Sequence, residues 1–178
     1  MADFAPFLPK LLKFEGGFVS HPADPGGATN KGVTLQTWRE CSLELLDIAP
    51  SPDSLRALTD AQAGVIYKLR YWDALRGDEI RHQALAEMLV DFHVNAGRNA
   101  VRTLQAVLNE VGSPALAEDG VFGEATFARL CAANAPTLQA RLRAARIAYY
   151  KRLADARPAL KVFLAGWLNR VDALADKP

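Results

Sequence analysis

Apolar residues recur every three or four positions along most of this chain, the spacing that places them on one face of an α-helix. The first such stretch predicts a helix from about Asp3 or Phe4 to Glu15, with Pro6 in its first turn and Pro9 distorting it. Further helices are predicted over residues 35–46, 60–75, 83–96, 99–111, 126–133, 136–156 and 158–175, with loops over 49–53 and 112–123. The pattern therefore predicts a mainly α fold with seven or eight helices and at most a small β-hairpin, around Val19 and residues 28–34.

Two threonines are placed to start helices. Thr34 is a candidate cap for the second helix, and the spacing of Thr59 and Gln62 is that of a capping box. The helix after Thr59 carries four large apolar residues that its periodicity places on one buried side: Val65, Ile66, Leu69 and Trp72.

Length and composition set the size of the core and the charge of the surface. A chain of 178 residues, half of them apolar, can bury a core without a disulfide or a metal. We expect one unit, with an N-terminal lobe over residues 1–50 and a helical lobe over 51–178, because the composition shifts near Ser51. The net charge of +1 argues against nucleic acid as a partner, and we expect a monomer.

The amino terminus has neither the basic region nor the unbroken apolar run of a signal peptide, and the sequence shows no stretch that would insert stably into a membrane. The protein is therefore expected to be made in the cytoplasm and to act outside it only after release or export. Cys41 and Cys131 are predicted to be buried, reduced thiols, with a single disulfide as the alternative. No metal is expected, because the histidines and cysteines lack metal-site spacing.

The stretch from Glu15 to Thr34 stands apart from the helical pattern. It holds five of the twelve glycines and two prolines, so it must be loop and short extended pieces. Glu15 lies between two phenylalanines, and a carboxyl group against apolar surface favours the protonated form that a general acid needs. Asp24 follows nine residues later in a polar Pro-Gly turn that keeps a carboxylate ionised.

Two carboxyl groups in unlike surroundings are what cleavage of a glycosidic bond requires, and Thr29 or Thr34 could orient a water molecule there. The alternative is that Glu15 and Asp24 are ordinary solvated or capping residues, and spacing alone leaves both open.

The motif Glu-Gly-Gly-Phe at 15–18, followed by Asp-Pro-Gly-Gly-Ala-Thr-Asn-Lys-Gly-Val-Thr at 24–34, resembles the signature of the glycoside hydrolase family 108 muramidases, which include phage endolysins and secretion activators. Residues 71–73, 91–97, 104–105 and 119–126 are similar to the peptidoglycan-binding part of that family. The resemblance implies a lysozyme-like fold that, without a cofactor, hydrolyses the β-1,4 bond between N-acetylmuramic acid and N-acetylglucosamine in bacterial peptidoglycan. It also implies that Glu15 is the catalytic acid and that Asp24 and Thr29 support it, while His21 departs from the usual pattern.

Other residues are candidates for contact with the sugar. By the same resemblance, Asn95 and Gly97 lie at a helix end that faces the glycan, although they could simply terminate the helix. Tyr71 could stack on a sugar, Thr34 could contact it, and Trp72 is predicted to be core. A basic run in the penultimate helix is predicted to be a solvated face: Arg141, Arg143, Arg146, Lys151 and Arg152.

Two alternatives to a muramidase stay open: a lytic transglycosylase, which also uses one Glu, and a non-catalytic protein that binds the wall or assists secretion. Inverting and retaining hydrolysis are not separated either, because they differ in the distance between the carboxyl groups.

Overall fold

The structure is a computed structural model that describes residues 1–20 and 27–174. Within these residues there are nine α-helices and one two-stranded antiparallel sheet, and 71% of the described residues are helical when the short 3-10 and π-helical segments are included. The helices are α1 (Phe7–Glu15), α2 (Leu35–Leu46), α3 (Pro52–Arg56), α4 (Asp60–Tyr67), α5 (Gln83–Ala96), α6 (Arg98–Val111), α7 (Glu124–Ala132), α8 (Ala135–Ala156) and α9 (Lys161–Ala173). The strands are β1 (Thr29–Asn30) and β2 (Val33–Thr34). The mainly α prediction is confirmed, and the short α3 starts inside a predicted loop.

The start of α1 was predicted wrongly. The helix begins at Phe7, with Pro6 at the cap position and Pro9 as its third residue. A proline there removes no hydrogen bond, because the first N–H groups of a helix have no partner within it. Pro9 therefore belongs to the first turn and does not distort the helix. Gly16 ends α1 with φ of 71°, a conformation that favours glycine.

The chain divides into two compact units: a first unit over Phe4–Asp73, and a second unit formed by Met1–Asp3 with the chain from Ala74 onward. The core of the first unit contains Phe7, Leu11, Trp38, Leu55, Ile66 and Trp72, all fully buried. The rings of Phe4, Phe7 and Trp72 are in contact, with centroids 5.5–6.1 Å apart. These contacts hold α1 against the helical segment that follows α4.

Trp72 is core, as predicted, but the predicted buried face around it is only half correct. Ile66 is buried, whereas Val65 is 38% and Leu69 is 48% exposed. For Leu69 the reason is that α4 continues into a π-helical turn over Lys68–Trp72, in which the N–H of Asp73 donates to the carbonyl of Lys68. This longer turn rotates the following residues relative to an α-helix and brings Trp72 inward.

Capping at the two predicted threonines is confirmed. Thr34 Oγ1 accepts a hydrogen bond from the N–H of Thr37 at the start of α2. Thr59 and Gln62 satisfy each other's backbone N–H groups at the start of α4. The predicted hairpin is also present, since β1 pairs with β2 and Val19 bridges to Thr29.

In the second unit, α5 packs against α6 and α8, and α8 packs against α9. Their buried faces supply a core that includes Leu85, Met88, Leu89, Phe92, Leu104, Leu108, Leu142 and Tyr150. The first residues of the chain belong here, because the N–H of Ala2 donates to the carbonyl of Ile80 at 2.7 Å.

A charged cluster lies within this core. Asp91 on α5 is fully buried and accepts from Arg146 on α8 at 2.6 Å and from Arg170 on α9 at 2.7 Å. Arg146 is fully buried and Arg170 is 6% exposed, so the prediction that Arg146 belongs to a solvated face is wrong. The carboxylate between them compensates part of the cost of burying the two cations.

The loop after α6 is organised around Gln105. Its Nε2 donates to Asp119 Oδ1 at 2.9 Å and to the carbonyl of Val121, and its Oε1 accepts from the N–H of Gly120. Gly120 has φ of 75°, and a Cβ there would lie 2.8 Å from the carbonyl oxygen of Arg98. The similarity of residues 119–126 to a wall-binding part therefore rests partly on residues that shape a turn.

Both cysteines are free thiols, as predicted, but Cys131 is exposed, so the prediction that both are buried holds for Cys41 alone. None of the described helices has the length and apolar character needed to cross a membrane. Among residues 1–20 and 27–174, no group of three or more His, Cys, Asp or Glu side chains is placed to hold a metal ion.

Candidate active site

Glu15 is the last residue of α1 and is half-buried. The buried side chains of Phe7 and Leu11 fix the helix in the core of the first unit, so the position of the carboxyl group is set by the packing of α1. Gly16 and Gly17 follow, both exposed and with no atom within 4 Å of an added Cβ. The carboxyl group therefore lies at the end of a packed helix, next to two glycines that are exposed to solvent.

The carboxyl group of Glu15 packs directly against Gly32, in the turn between β1 and β2. A Cβ at Gly32 would lie 2.4 Å from Glu15 Oε2 and 2.2 Å from Tyr67 Oη, so these two oxygens flank the same point. The φ of 74° at Gly32 further favours glycine. Glycine at position 32 thus makes the space in which the carboxyl group lies.

Tyr67 holds this turn in place. Its hydroxyl donates to the carbonyl of Lys31 at 2.9 Å, and its side chain is buried at the end of α4. Lys31 has φ of 48°, a left-handed conformation that only surrounding contacts stabilise in a non-glycine residue. The hydroxyl of Tyr67 therefore links α4 to the turn that packs against Glu15.

The hairpin that carries Thr29 and Thr34 is fastened on its other side. Asn30 is buried, and its Nδ2 donates to the carbonyls of Leu55 and Arg56 at 2.9 and 3.1 Å. Thr29 and Thr34 lie opposite each other in the two strands. The hairpin is thus attached to α3 at Asn30 and to α4 through Tyr67.

The hydrogen bonds described for the two threonines differ, because those of Thr34 involve its hydroxyl group and those of Thr29 its backbone. Thr34 Oγ1 caps α2 and also donates to Thr37 Oγ1 at 3.0 Å. Thr29 is half-buried, and its backbone N–H and carbonyl both bond to Val19 at 2.8 Å. The roles predicted for them at a substrate stay predictions.

Tyr71 lies in the π-helical turn and is half-buried. Its ring contacts that of Tyr67, with centroids 5.6 Å apart. Burial raises the pKa of Tyr71, the neighbouring Arg70 guanidinium offsets part of this rise, and the negative charge of Glu15 adds to it. Glu15, Tyr67 and Tyr71 therefore form one cluster in the first unit, and the sugar contact of Tyr71 stays a prediction.

Asp24 lies outside the described residues. The chain on either side of that segment is held in place, since Val19 and Thr29 form a closed pair of backbone hydrogen bonds. Just before it, the guanidinium of Arg56 lies 4.2 Å from the ring centroid of Phe18. Val19 and Thr29, which precede and follow that segment in the sequence, are therefore joined directly by backbone hydrogen bonds.

Asn95 and Gly97 belong to the second unit. Asn95 is near the end of α5, where its Oδ1 accepts from the buried hydroxyl of Tyr150 at 2.8 Å. Gly97 has φ of 54° and joins α5 to α6, and its N–H donates to the carbonyl of His93. Both residues thus have a structural role, while the Nδ2 group of Asn95 is not used in the contact with Tyr150.

Sequence reasoning missed the two residues that shape the surroundings of Glu15. Gly32 was part of the recognised motif, but no role was assigned to it. Tyr67 was not singled out, although it lies at a helical position between Ile66 and the tyrosine at 71. The sequence does show a glycine in the predicted turn, Gly32, and a carboxylate at a predicted helix end, Glu15. It does not show that the two residues are in contact.

Comparison with known proteins adds independent findings. Residues 8–97 match the family described as Glycosyl hydrolase 108, and residues 99–172 match the one described as Predicted Peptidoglycan domain. Among solved structures, that of Brucella abortus SagA is 32% identical with a TM-score of 0.75, covering 96% of this chain and 90% of that chain. No curated protein matches significantly.

The border between the two matched families differs from the border between the two compact units. α5 lies within the first match, yet it belongs to the second unit, where Asp91 pairs with Arg146 and Arg170 from the second match. The two family regions are therefore joined through a shared buried cluster.

Proposed function

Because this chain belongs to the glycosyl hydrolase 108 family, we propose that it is a muramidase, which hydrolyses the β-1,4 bond between N-acetylmuramic acid and N-acetylglucosamine in bacterial peptidoglycan. The peptidoglycan domain matched over residues 99–172 supports the same polymer as its partner. The observation that carries the proposal is the placement of Glu15: a carboxyl group at a fixed helix end, packed on the backbone of Gly32 beside Tyr67.

In the proposed reaction, Glu15 protonates the glycosidic oxygen as the bond to the departing sugar breaks. Positive charge then develops on the ring of the other sugar, and an ionised Asp24 either stabilises it or activates water. Thr29 orients that water. The attachment of the hairpin at Asn30 and Tyr67 supports this assignment, because a catalytic group acts only when its geometry is held.

Substrate contacts are proposed for Tyr71, Thr34, Asn95 and Gly97. Tyr71 offers a half-buried ring next to Glu15 on which a sugar face can stack. Asn95 offers its Nδ2 group to the carbonyl of an N-acetyl substituent. Its Oδ1 is already held by Tyr150, which fixes the orientation of the amide.

We also propose that the enzyme works as a monomer without a cofactor and acts on the wall after release or export from the cytoplasm. General acid catalysis by a carboxyl group needs no metal and no organic cofactor.

The test is Glu15→Gln, with Glu44→Gln as the control, since Glu44 is an exposed glutamate of the same unit. Purified sacculi are digested, and released glycans are identified by mass spectrometry. Wild type and Glu44→Gln should release fragments with reducing ends, and Glu15→Gln should lose about 10²-fold or more of that activity with unchanged circular dichroism.

Other results of this experiment would support a different function. Fragments with 1,6-anhydro ends would identify a lytic transglycosylase. Binding of the wild type to sacculi without any cleavage would identify a wall-binding protein, and full activity of Glu15→Gln would remove Glu15 from the mechanism.

A further inference from the structure

A cavity of about 410 Å³ opens in the first unit beside the helix that ends in Glu15. One wall is apolar and is formed by Leu8, Pro9 and Leu12 of α1. Leu8 is held there by α4, because Gly64 lets the helices approach so closely that a Cβ would lie 2.6 Å from Leu8 Cδ2. The wall is therefore a fixed surface.

The cavity adjoins the proposed catalytic acid at two places. Gly16, which lines it, directly follows Glu15 in the chain. Lys31, which also lines it, directly precedes Gly32, against which the Glu15 carboxyl group packs. A glycan with its scissile bond at Glu15 therefore carries the substituents of the adjoining sugars close to this cavity.

The remaining lining is charged. Lys13 is exposed and has no ion-pair partner among residues 1–20 and 27–174. Lys31 lies 2.5 Å from Asp60, but the Asp60 side chain is 71% exposed, so this pair is weak in water and its lysine can also bind a second carboxylate. Two cations and one anion around an apolar wall suit a ligand that has carboxylates, an amine and small apolar groups.

We propose that this cavity binds the stem peptide of the substrate and that Lys13 and Lys31 bind its carboxylates. The inference rests on the proposed function, because the stem peptide is attached to the muramic acid next to the bond that is cleaved. Its alanine methyl groups fit the wall of Leu8 and Leu12, and a diamino acid in the peptide can place its amine near Asp60. The two lysines then select glycan that carries peptide.

The first experiment compares two substrates that differ only in charge. Sacculi without teichoic acid are used as isolated, or after carbodiimide coupling with excess ammonia has converted the peptide carboxylates to amides. The wild type should cleave the untreated sacculi with a kcat/KM about tenfold higher, the ratio expected for one charge-assisted hydrogen bond. Lys13→Met and Lys31→Met keep the apolar part of the side chain, and each should lower that ratio towards one.

Lys10→Met is the matched control, since Lys10 is exposed on the same helix but does not line the cavity. It should keep the wild-type ratio. The peptide site is overturned if the wild type cleaves both substrates equally, if both lysine variants keep the tenfold ratio, or if charge dependence appears only with walls that carry teichoic acid.

A second experiment separates this inference from the proposed function. Calorimetric titration of the full chain with soluble stem tetrapeptide should show saturable binding that Lys13→Met abolishes and Lys10→Met retains. If the tetrapeptide binds but sacculi are not cleaved, the peptide site stands and the muramidase assignment fails. If sacculi are cleaved but the tetrapeptide does not bind, the peptide site is wrong.

Discussion

A Cβ on Gly32 would lie 2.4 Å from Glu15 Oε2, so a side chain at position 32 and the carboxyl group of Glu15 exclude each other. Ordinary van der Waals contact would require 3.4–4 Å between such atoms. The motif glycine and the motif glutamate, seventeen positions apart in the chain, therefore depend on one another in the folded protein.

The first prediction follows from this contact. Gly32→Ala should displace the Glu15 carboxyl group and lower reducing-end release from sacculi at least tenfold. It should also destabilise the protein by about 1–3 kcal/mol, since φ at this position is 74°. Gly17→Ala is the control, because no atom lies within 4 Å of a Cβ there. Equal activities of the two variants would show that the space at Gly32 is not needed.

The second prediction concerns the support of the turn. Tyr67→Phe removes the hydroxyl that donates to Lys31, at a cost of about 1 kcal/mol in urea unfolding. Reducing-end release from sacculi should fall by more than the larger unfolded fraction accounts for, because the turn packs against Glu15. Tyr149→Phe serves for comparison, since its hydroxyl accepts a longer contact, of 3.4 Å, from Asn99. A fall in stability with full activity would show that the Tyr67 hydroxyl stabilises the fold but does not contribute to activity.

The third prediction concerns the buried charges. Asp91→Asn leaves Arg146 and Arg170 buried without their counter-charge and should destabilise the second unit by about 3–5 kcal/mol. Glu110→Gln breaks an exposed pair with Arg141 and should cost at most about 1 kcal/mol. Urea unfolding measures both, and similar losses for the two variants would contradict the argument.

The fourth prediction concerns pH. Hydrogen bonds from the N–H of Val121 and the side chain of Gln105 lower the pKa of Asp119. The unfolded chain therefore takes up this proton at a higher pH than the folded protein does. The stability from Asp119 is complete above its ordinary pKa and is lost as the pH falls through the lower folded value.

The measurement is urea unfolding at about pH 6 and about pH 3 for wild type and Asp119→Asn. The difference in stability between the two proteins should shrink at the lower pH. A difference that is the same at both pH values would show that the carboxylate charge does not stabilise the loop.

Features that depend on neighbouring residues were predictable from the sequence. Thr34 and Thr59 cap helices through bonds to residues three positions away, so their spacing in the chain is enough to identify them. The helical periodicity likewise placed Ile66 and Trp72 in the core. It failed at Leu69, because a π-helical turn changes the period that the prediction assumes.

Features that depend on distant residues were not predictable. Arg146 looks like any surface cation of a basic helix until Asp91, fifty-five positions earlier, is brought against it. In the same way, Tyr67 acquires its role only because its hydroxyl reaches Lys31, thirty-six positions away. The resemblance predicts Glu15 as the acid of the motif, but the immediate surroundings of its carboxyl group are set by tertiary contacts.

The hydrogen bond from Ala2 to Ile80 and the pairing of Asp91 with Arg170 determine when each unit can form during synthesis. Every residue of the first unit, Phe4–Asp73, is made before α5 begins at Gln83. Asp91 can pair with its second cation, Arg170, only after a further 79 residues have been made. We therefore expect the first unit, which contains Glu15, to fold on the ribosome before α5 can pack against α9. Ribosome-bound nascent chains would show this early folding.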